Sequence, residues 1–248
     1  MACKRCLGVP TRTPNKMVYG DLGRYPLYIN SYVACLRYWL KLLQMDVDRL
    51  PHKAYIMLFE MDRSGKDCWA SKVREILGET GFNIVWLQQG VGDVKMFLMA
   101  FKQRLVDLFI QEWDGTIRER ERYYTYRLFR TTFEEERYVS DMDIYCFRVA
   151  ISQLRFNVLP LNNNVHRYSE SSQKKNCPFC DERVENEHHF LFECCLYKEL
   201  RDKFLKDLSN VPIHVLLKVS DVNIRHCISR YVFHAMNRRR KTLCTIFM

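Results

Sequence analysis

Cys177-Pro178-Phe179-Cys180, followed by His189 and then Cys194, sets a C-x2-C-x8-H-x4-C series in one short stretch, and no other feature restricts the folding of this chain as much. Two cysteines separated by two residues close on one ion through a tight turn, and a histidine and a third cysteine further along complete a tetrahedron. The spacing predicts one structural zinc ion held by Cys177, Cys180, His189 and Cys194. Three thiolates and an imidazole leave no open coordination position, so such an ion joins chain segments and performs no chemistry. The doubled residues leave a second assignment open, because His188 with Cys195 also falls within workable loop lengths. Another CxxC, Cys3-Lys4-Arg5-Cys6, has no ligand pair close behind it and reads as a chance spacing in a chain with 11 cysteines.

An apolar share of 48% over 248 residues is enough to bury one large core or two smaller ones, which excludes a disordered tail. There is no basic, apolar, then small-residue leader pattern and no uncharged apolar stretch of membrane-spanning length. The expected location is therefore nuclear or cytoplasmic, not secreted, with no membrane partner. The odd cysteine number fits reduced thiols, and Cys35, Cys68, Cys146, Cys227 and Cys244 read as small buried hydrophobes.

The net charge of +10 points to polyanionic partners, RNA or DNA. Residues 206–248 hold 8 Lys and Arg against 2 Asp and Glu, whereas residues 165–205 hold 7 against 8. Arg238, Arg239, Arg240 and Lys241 are thus the candidate nucleic-acid contacts. The same run also reads as a solvated helix end whose cations suit the negative pole of the helix dipole. From Arg118 to Arg130 cations alternate with rings, the pairing that neutralises phosphates and stacks bases. Glu134-Glu135-Glu136 follows, however, and Tyr123, Tyr126 and Arg130 keep the spacing of one packed helix face, which is the favoured reading.

Periodicity is helical wherever it is visible. Val94, Phe97, Leu98, Phe101, Leu105, Leu108 and Phe109 keep the i, i+3, i+4, i+7 spacing behind a Gly92-Asp93 start. Ser31 to Met45 is apolar over so much of its circumference that it predicts a buried helix. Shorter helices are expected after Pro51, after Asp67 with a C-cap near Gly78 and Gly81, over Ile144 to Leu154, over Leu200 to Leu208, and from Ile224 to Val232. Phe82 to Trp86 reads as a short extended piece, and a small hairpin should carry Cys177 and Cys180. The polar run Asn162 to Asn176 reads as a linker. The fold predicted is mostly α: a multi-helix domain over 1–160, a linker over 161–176, and a zinc-knuckle helical module over 177–248.

Two-metal nucleotidyl transfer needs paired carboxylates, and no Asp-Asp pair exists. Asp141-Met142-Asp143 is the nearest approach, and an N-cap role is its simpler reading. A Gly-rich phosphate loop, a Gly-x-Ser-x-Gly turn and a His-Glu-x-x-His helix are also missing, so no catalytic residue is expected.

Several stretches together resemble the C-terminal region of jockey-like non-LTR retrotransposon reverse transcriptases. They are Cys6-Leu7-Gly8-Val9-Pro10, Thr13-Pro14-Asn15, Gly20 to Leu27, Arg37 to Leu42, Tyr123 to Phe129, Leu154-Arg155, and the run from Cys177 through Cys194 to Arg201. The resemblance spans the whole chain and is most specific over the last run. It implies a segment beyond the polymerase and endonuclease active sites, binding template RNA or target DNA through a CCHC knuckle, without catalysis. Phe156 to Pro160 departs from the family pattern. The alternative is a zinc-stabilised protein-interaction module from a degenerate or domesticated element.

Overall fold

The computed structural model describes residues 2–142, 144–180, 183–208 and 211–246, and all regular structure among them is helical. Two isolated antiparallel bridges, Leu22 with Glu135 and Asn176 with Val184, are the extended pairings present. The mostly-α expectation holds.

The chain groups into two compact units, Tyr25–Trp113 and Met1–Arg24 with Asp114–Met248. In the first, helices Leu27–Leu43, Leu50–Arg63, Trp69–Glu79 and Asn83–Gln88 precede residues 94–113 of the long helix Val94–Glu119. The helix expected over Ser31 to Met45 buries Ile29, Val33, Leu36, Trp39, Leu40 and Leu42. Its Trp39 indole donates to the Tyr55 hydroxyl at 2.9 Å and stacks on Trp86 with ring centroids 5.8 Å apart. Tyr55 donates in turn to Gln89. At the end of Trp69–Glu79, Phe82 N–H donates to the Leu77 carbonyl at 2.7 Å and Gly81 N–H to the Gly78 carbonyl at 3.1 Å. That pairing is a Schellman stop, and it needs the left-handed backbone that Gly81 adopts at φ +84°.

Phe82 to Trp86 is not extended: Asn83–Gln88 is a helix. The Ile84-Val85-Trp86 run has strand propensity but no strand to pair with among the described residues, and tertiary packing of Val85 and Trp86 decides its conformation.

In the second unit, a buried polar network ties residues far apart in sequence. Asp21 is fully buried and accepts from the Tyr126 hydroxyl at 2.8 Å, the Tyr138 hydroxyl at 2.9 Å and Arg155 Nε at 2.7 Å. Arg155 also reaches the Leu217 carbonyl at 2.6 Å and Glu136 at 2.9 Å, with its guanidinium 4.6 Å from the Phe129 ring centroid. Arg130 completes the set through Glu136 at 2.5 Å and the Gly20 carbonyl at 2.7 Å. Burial pushes the phenols of Tyr126 and Tyr138 well above the ordinary tyrosine value, and the Asp21 charge adds to the shift, so both stay protonated as donors. Beside the network Gly23 sits at φ +56°, where a Cβ would lie 2.5 Å from the Glu135 backbone nitrogen. Only glycine fits that approach.

The compact units fall differently from the expected 1–160 and 177–248. Helix Tyr145–Arg155 lies along helix Val222–Ile246, with Phe147 edge-on to Phe233 at 5.4 Å, so both sides of the 161–176 run share one unit. The run itself is bonded into that unit. Asn162 backbone N–H donates to Glu185 at 2.7 Å, its Nδ2 to the Asn176 carbonyl at 2.7 Å, and Asn164 Nδ2 to Glu187 at 2.6 Å. Its polarity serves buried carboxylates as well as solvent.

Candidate metal centre

The bridge between Asn176 and Val184 closes a hairpin in which Cys177 N–H donates to the Arg183 carbonyl at 2.7 Å and Glu185 N–H to the Lys175 carbonyl at 2.8 Å. The expected hairpin is therefore present in the pairing of its two arms, and residues 181–182 lie outside the described residues. Asn186 then caps the next turn by accepting from His189 N–H at 2.8 Å. His189–Glu193 is a π-helical turn, in which Cys194 N–H bonds to the His189 carbonyl five residues back at 2.9 Å. That wider turn brings His189 and Cys194 to one side, facing the hairpin.

One ligand atom from each of Cys177, Cys180, His189 and Cys194 lies within 4.8 Å of every other. Cys194 Sγ is 3.8 Å from Cys177 Sγ and 3.7 Å from Cys180 Sγ. A tetrahedron of metal–sulfur bonds near 2.3 Å has edges of about 3.8 Å, so the sulfurs already stand at coordination spacing. The imidazole is oriented for the same purpose. His189 Nδ1 faces the Glu193 carboxylate at 3.2 Å, while the buried Nε2 has no hydrogen-bond partner. A carboxylate that fixes one ring nitrogen leaves the other free for a metal. Glu193 is held below the usual carboxylate range by His189 first and then by Arg183, 2.9 Å away.

The crowded sulfurs divide their protons unevenly. Cys177 is drawn down to about 5, chiefly by its hydrogen bond with Cys194, which the same contact pushes upward. Burial raises Cys180. A cation bound among them would deprotonate the remaining thiols, because a metal binds thiolates.

The doubled residues separate by position. His188 is exposed, edge-on to Phe192 at 5.3 Å and 3.3 Å from Glu193. Cys195 is also exposed, with Sγ 3.4 Å from Cys180 Sγ, and neither joins the four-residue cluster. Cys3 and Cys6 lie on helix Ala2–Cys6 and belong to no ligand cluster among the described residues. Of the cysteines expected to be buried, Cys35, Cys68, Cys146 and Cys227 are half-buried and Cys244 is exposed, so the expected burial is not reached at any of them.

Arg238 to Lys241 divides in the same way. Arg239 is buried and forks onto Glu185, with Nε to Oε1 at 2.8 Å and Nη2 to Oε2 at 2.7 Å. Arg238 reaches Glu199 at 3.1 Å and the Leu196 carbonyl at 3.2 Å. Arg240 and Lys241 face solvent. Arg239 is thus no phosphate contact here: it clamps helix Val222–Ile246 to the hairpin arm at Glu185, and Tyr231 adds a bond to the Phe190 carbonyl at 2.6 Å. Substituting Arg239 by alanine leaves the Glu185 carboxylate buried and uncompensated, and is expected to cost about 3–5 kcal/mol in chemical denaturation. Arg240→Ala should stay within about 0.5 kcal/mol.

In the ring-and-cation run, Tyr123, Tyr126, Phe129 and Arg130 are buried and Tyr124 is exposed, as the packed-face reading requires. Asp141 pairs with Arg225 and caps no helix, since Ile144 precedes Tyr145–Arg155. Asp143 lies outside the described residues. The clamps Asp21–Arg155 and Glu185–Arg239 carry no local sequence signal. Comparison with family models, with curated proteins and with solved structures finds no match.

Proposed function

We propose that this chain is a non-catalytic nucleic-acid-binding segment, akin to the C-terminal region of jockey-like non-LTR reverse transcriptases and braced by one zinc ion on Cys177, Cys180, His189 and Cys194. The observation that carries the metal is the pair of sulfur edges at 3.7 and 3.8 Å beside an unpartnered His189 Nε2. Thiolate-rich sets select zinc over the oxygen-seeking magnesium and calcium. With four protein ligands the ion has no open position for substrate, so its role is to hold the hairpin and the π-helical turn together. Those elements, through Arg239 and Tyr231, hold helix Val222–Ile246.

That helix supplies the surface for phosphates. Arg230, Arg240 and Lys241 are exposed on it, and Arg230 and Lys241 share a face with His234 at helical spacing. Nucleic-acid affinity should then fall steeply with salt, and neutralising Arg240 and Lys241 should lower the slope of log K against log salt. Each lost contact removes about 0.9 on duplex DNA or about 0.7 on single strands. Titration at several ionic strengths reads this, with Arg239 left in place so that the fold is intact. An unchanged affinity and slope would favour the protein-interaction reading, for which the exposed Leu27, Leu50, Met57 and Leu87 of the first unit offer apolar contacts. Primer extension by the isolated chain with magnesium or manganese should yield no product.

A further inference from the structure

Beside the metal hairpin a cleft of about 260 Å³ opens between Phe129, Asn157, His188 and His214, with Glu187 in its lining and Thr125 at the exposed side. Glu187 is only 8% exposed, yet among the described residues it forms no ion pair. Its carboxylate is held by amides. Asn164 Nδ2 donates to Oε1 at 2.6 Å, and the Asn157 amide, assigned with its nitrogen toward the carboxylate because the opposite orientation would set oxygen against oxygen, donates at 2.6 Å to Oε1 and 2.9 Å to Oε2. Arg167, the nearby cation, bonds to the Asn157 carbonyl at 3.4 Å and to Asn164 Oδ1 at 3.2 Å, ordering the asparagines without touching the carboxylate.

Asn157 is placed for this by the backbone. It sits at φ +57° as the left-handed stop of helix Tyr145–Arg155, with Val158 N–H on the Gln153 carbonyl at 3.0 Å. A carboxylate offers about four acceptor sites, and the two amides leave room on Oε2 for one more donor. Arg155 also lines the cleft, but its charge is committed to Asp21 and Glu136. The cleft therefore presents the Glu187 carboxylate as a charged N–H acceptor among the rings of Phe129, His188 and His214 and the aliphatic Leu128, Leu154 and Leu217. Flat rings with an amino edge suit such a site.

We propose that this cleft takes an unpaired nucleobase with an exocyclic amino group, stacked among the rings and donating that amino group to Glu187. The proposal rests on the nucleic-acid reading and names the substrate feature it would recognise. Cytosine and uracil discriminate it, because they are nearly isosteric while uracil turns a carbonyl oxygen toward the carboxylate.

Ligand-observed NMR titration of the zinc-bound full chain with cytidine and uridine should show cytidine binding at least about tenfold tighter. Glu187→Gln should erase that preference. Thr125→Trp, at an exposed position, should block cytidine while leaving the circular dichroism spectrum and zinc content unchanged. Equal binding of the two nucleosides, no binding of either, or cytidine binding that survives Thr125→Trp would overturn the proposal. So would binding of N-acetylarginine amide in place of cytidine, which would mark a peptide site. Duplex DNA keeps its bases stacked and does not use the cleft. Salt-dependent duplex binding with a failed cytidine titration therefore removes this inference alone, whereas loss of both removes the underlying reading.

Discussion

Asp21→Asn is expected to destabilise the protein by about 3–5 kcal/mol, a large part of the stability of an ordinary domain. The substitution preserves shape and removes the charge that meets Arg155, whose side chain is 2% exposed. It also turns an acceptor-only group into one that presents an NH₂ to the Tyr126 or Tyr138 hydroxyl, each of which now donates to a carboxylate oxygen. Removing one partner of a buried pair is costly because the other stays behind, desolvated. Replacing Arg155 by methionine in the same chain should therefore recover part of the loss, giving a strongly non-additive double-mutant cycle. Asp114→Asn, which breaks the exposed i, i+4 pair with Arg118 at 2.9 Å, should cost about 0.3–0.5 kcal/mol at most. Urea midpoints for the four variants decide it, and a loss below about 1 kcal/mol for Asp21→Asn would remove the network from the account of stability.

Withdrawing the metal should have an effect of similar size with a different distribution. An ion at a hundred times its dissociation constant contributes about 2.7 kcal/mol to the state that binds it, and structural zinc binds far more tightly than typical working concentrations require. Chelation, or Cys177→Ser with Cys180→Ser, leaves the Arg183–Glu193 ion pair at 2.9 Å and the Asn186 cap on His189 N–H as the links between the hairpin and the turn at His189. Amide exchange should accelerate by at least about a hundredfold from Cys177 to Tyr197, while Trp39, Val73 and Leu77 in the Tyr25–Trp113 unit keep their protection. Uniform acceleration across both units, or none, would contradict a local structural ion. Cys195→Ser should change neither metal content nor exchange, since Cys195 lies outside the ligand set.

The four-residue cluster that could hold a metal was readable from sequence because its chemistry is local. Cysteine and histidine side chains are sparse, and their spacing alone states that a turn must close on one point. The spacing favoured His189 but left His188 with Cys195 open, and what separates them is a π-helical turn whose hydrogen bond spans five residues. Amphipathic helices were legible for the same reason as the metal: their signal repeats within a few residues. What escaped was long-range. Arg239 reads as one member of a basic run until its partner Glu185, 54 residues earlier, is placed beside it. The asparagines at 162–164 read as linker because amides suit solvent, yet two of them hold buried groups around Glu185 and Glu187. Phe82 to Trp86 has the β-branched and aromatic content of a strand, but it has no pairing strand among the described residues and packs Val85 and Trp86 from a helix instead.

X-ray absorption at the zinc K-edge, on protein purified without chelator, tests the central claim most directly. The account predicts one zinc per chain with three sulfur neighbours at about 2.3 Å and one nitrogen at about 2.0–2.1 Å, a shell that loses sulfur in Cys177→Ser. A sample without zinc, a shell of four sulfurs in which Cys195 replaces His189, or a shell of oxygen and nitrogen alone would contradict it.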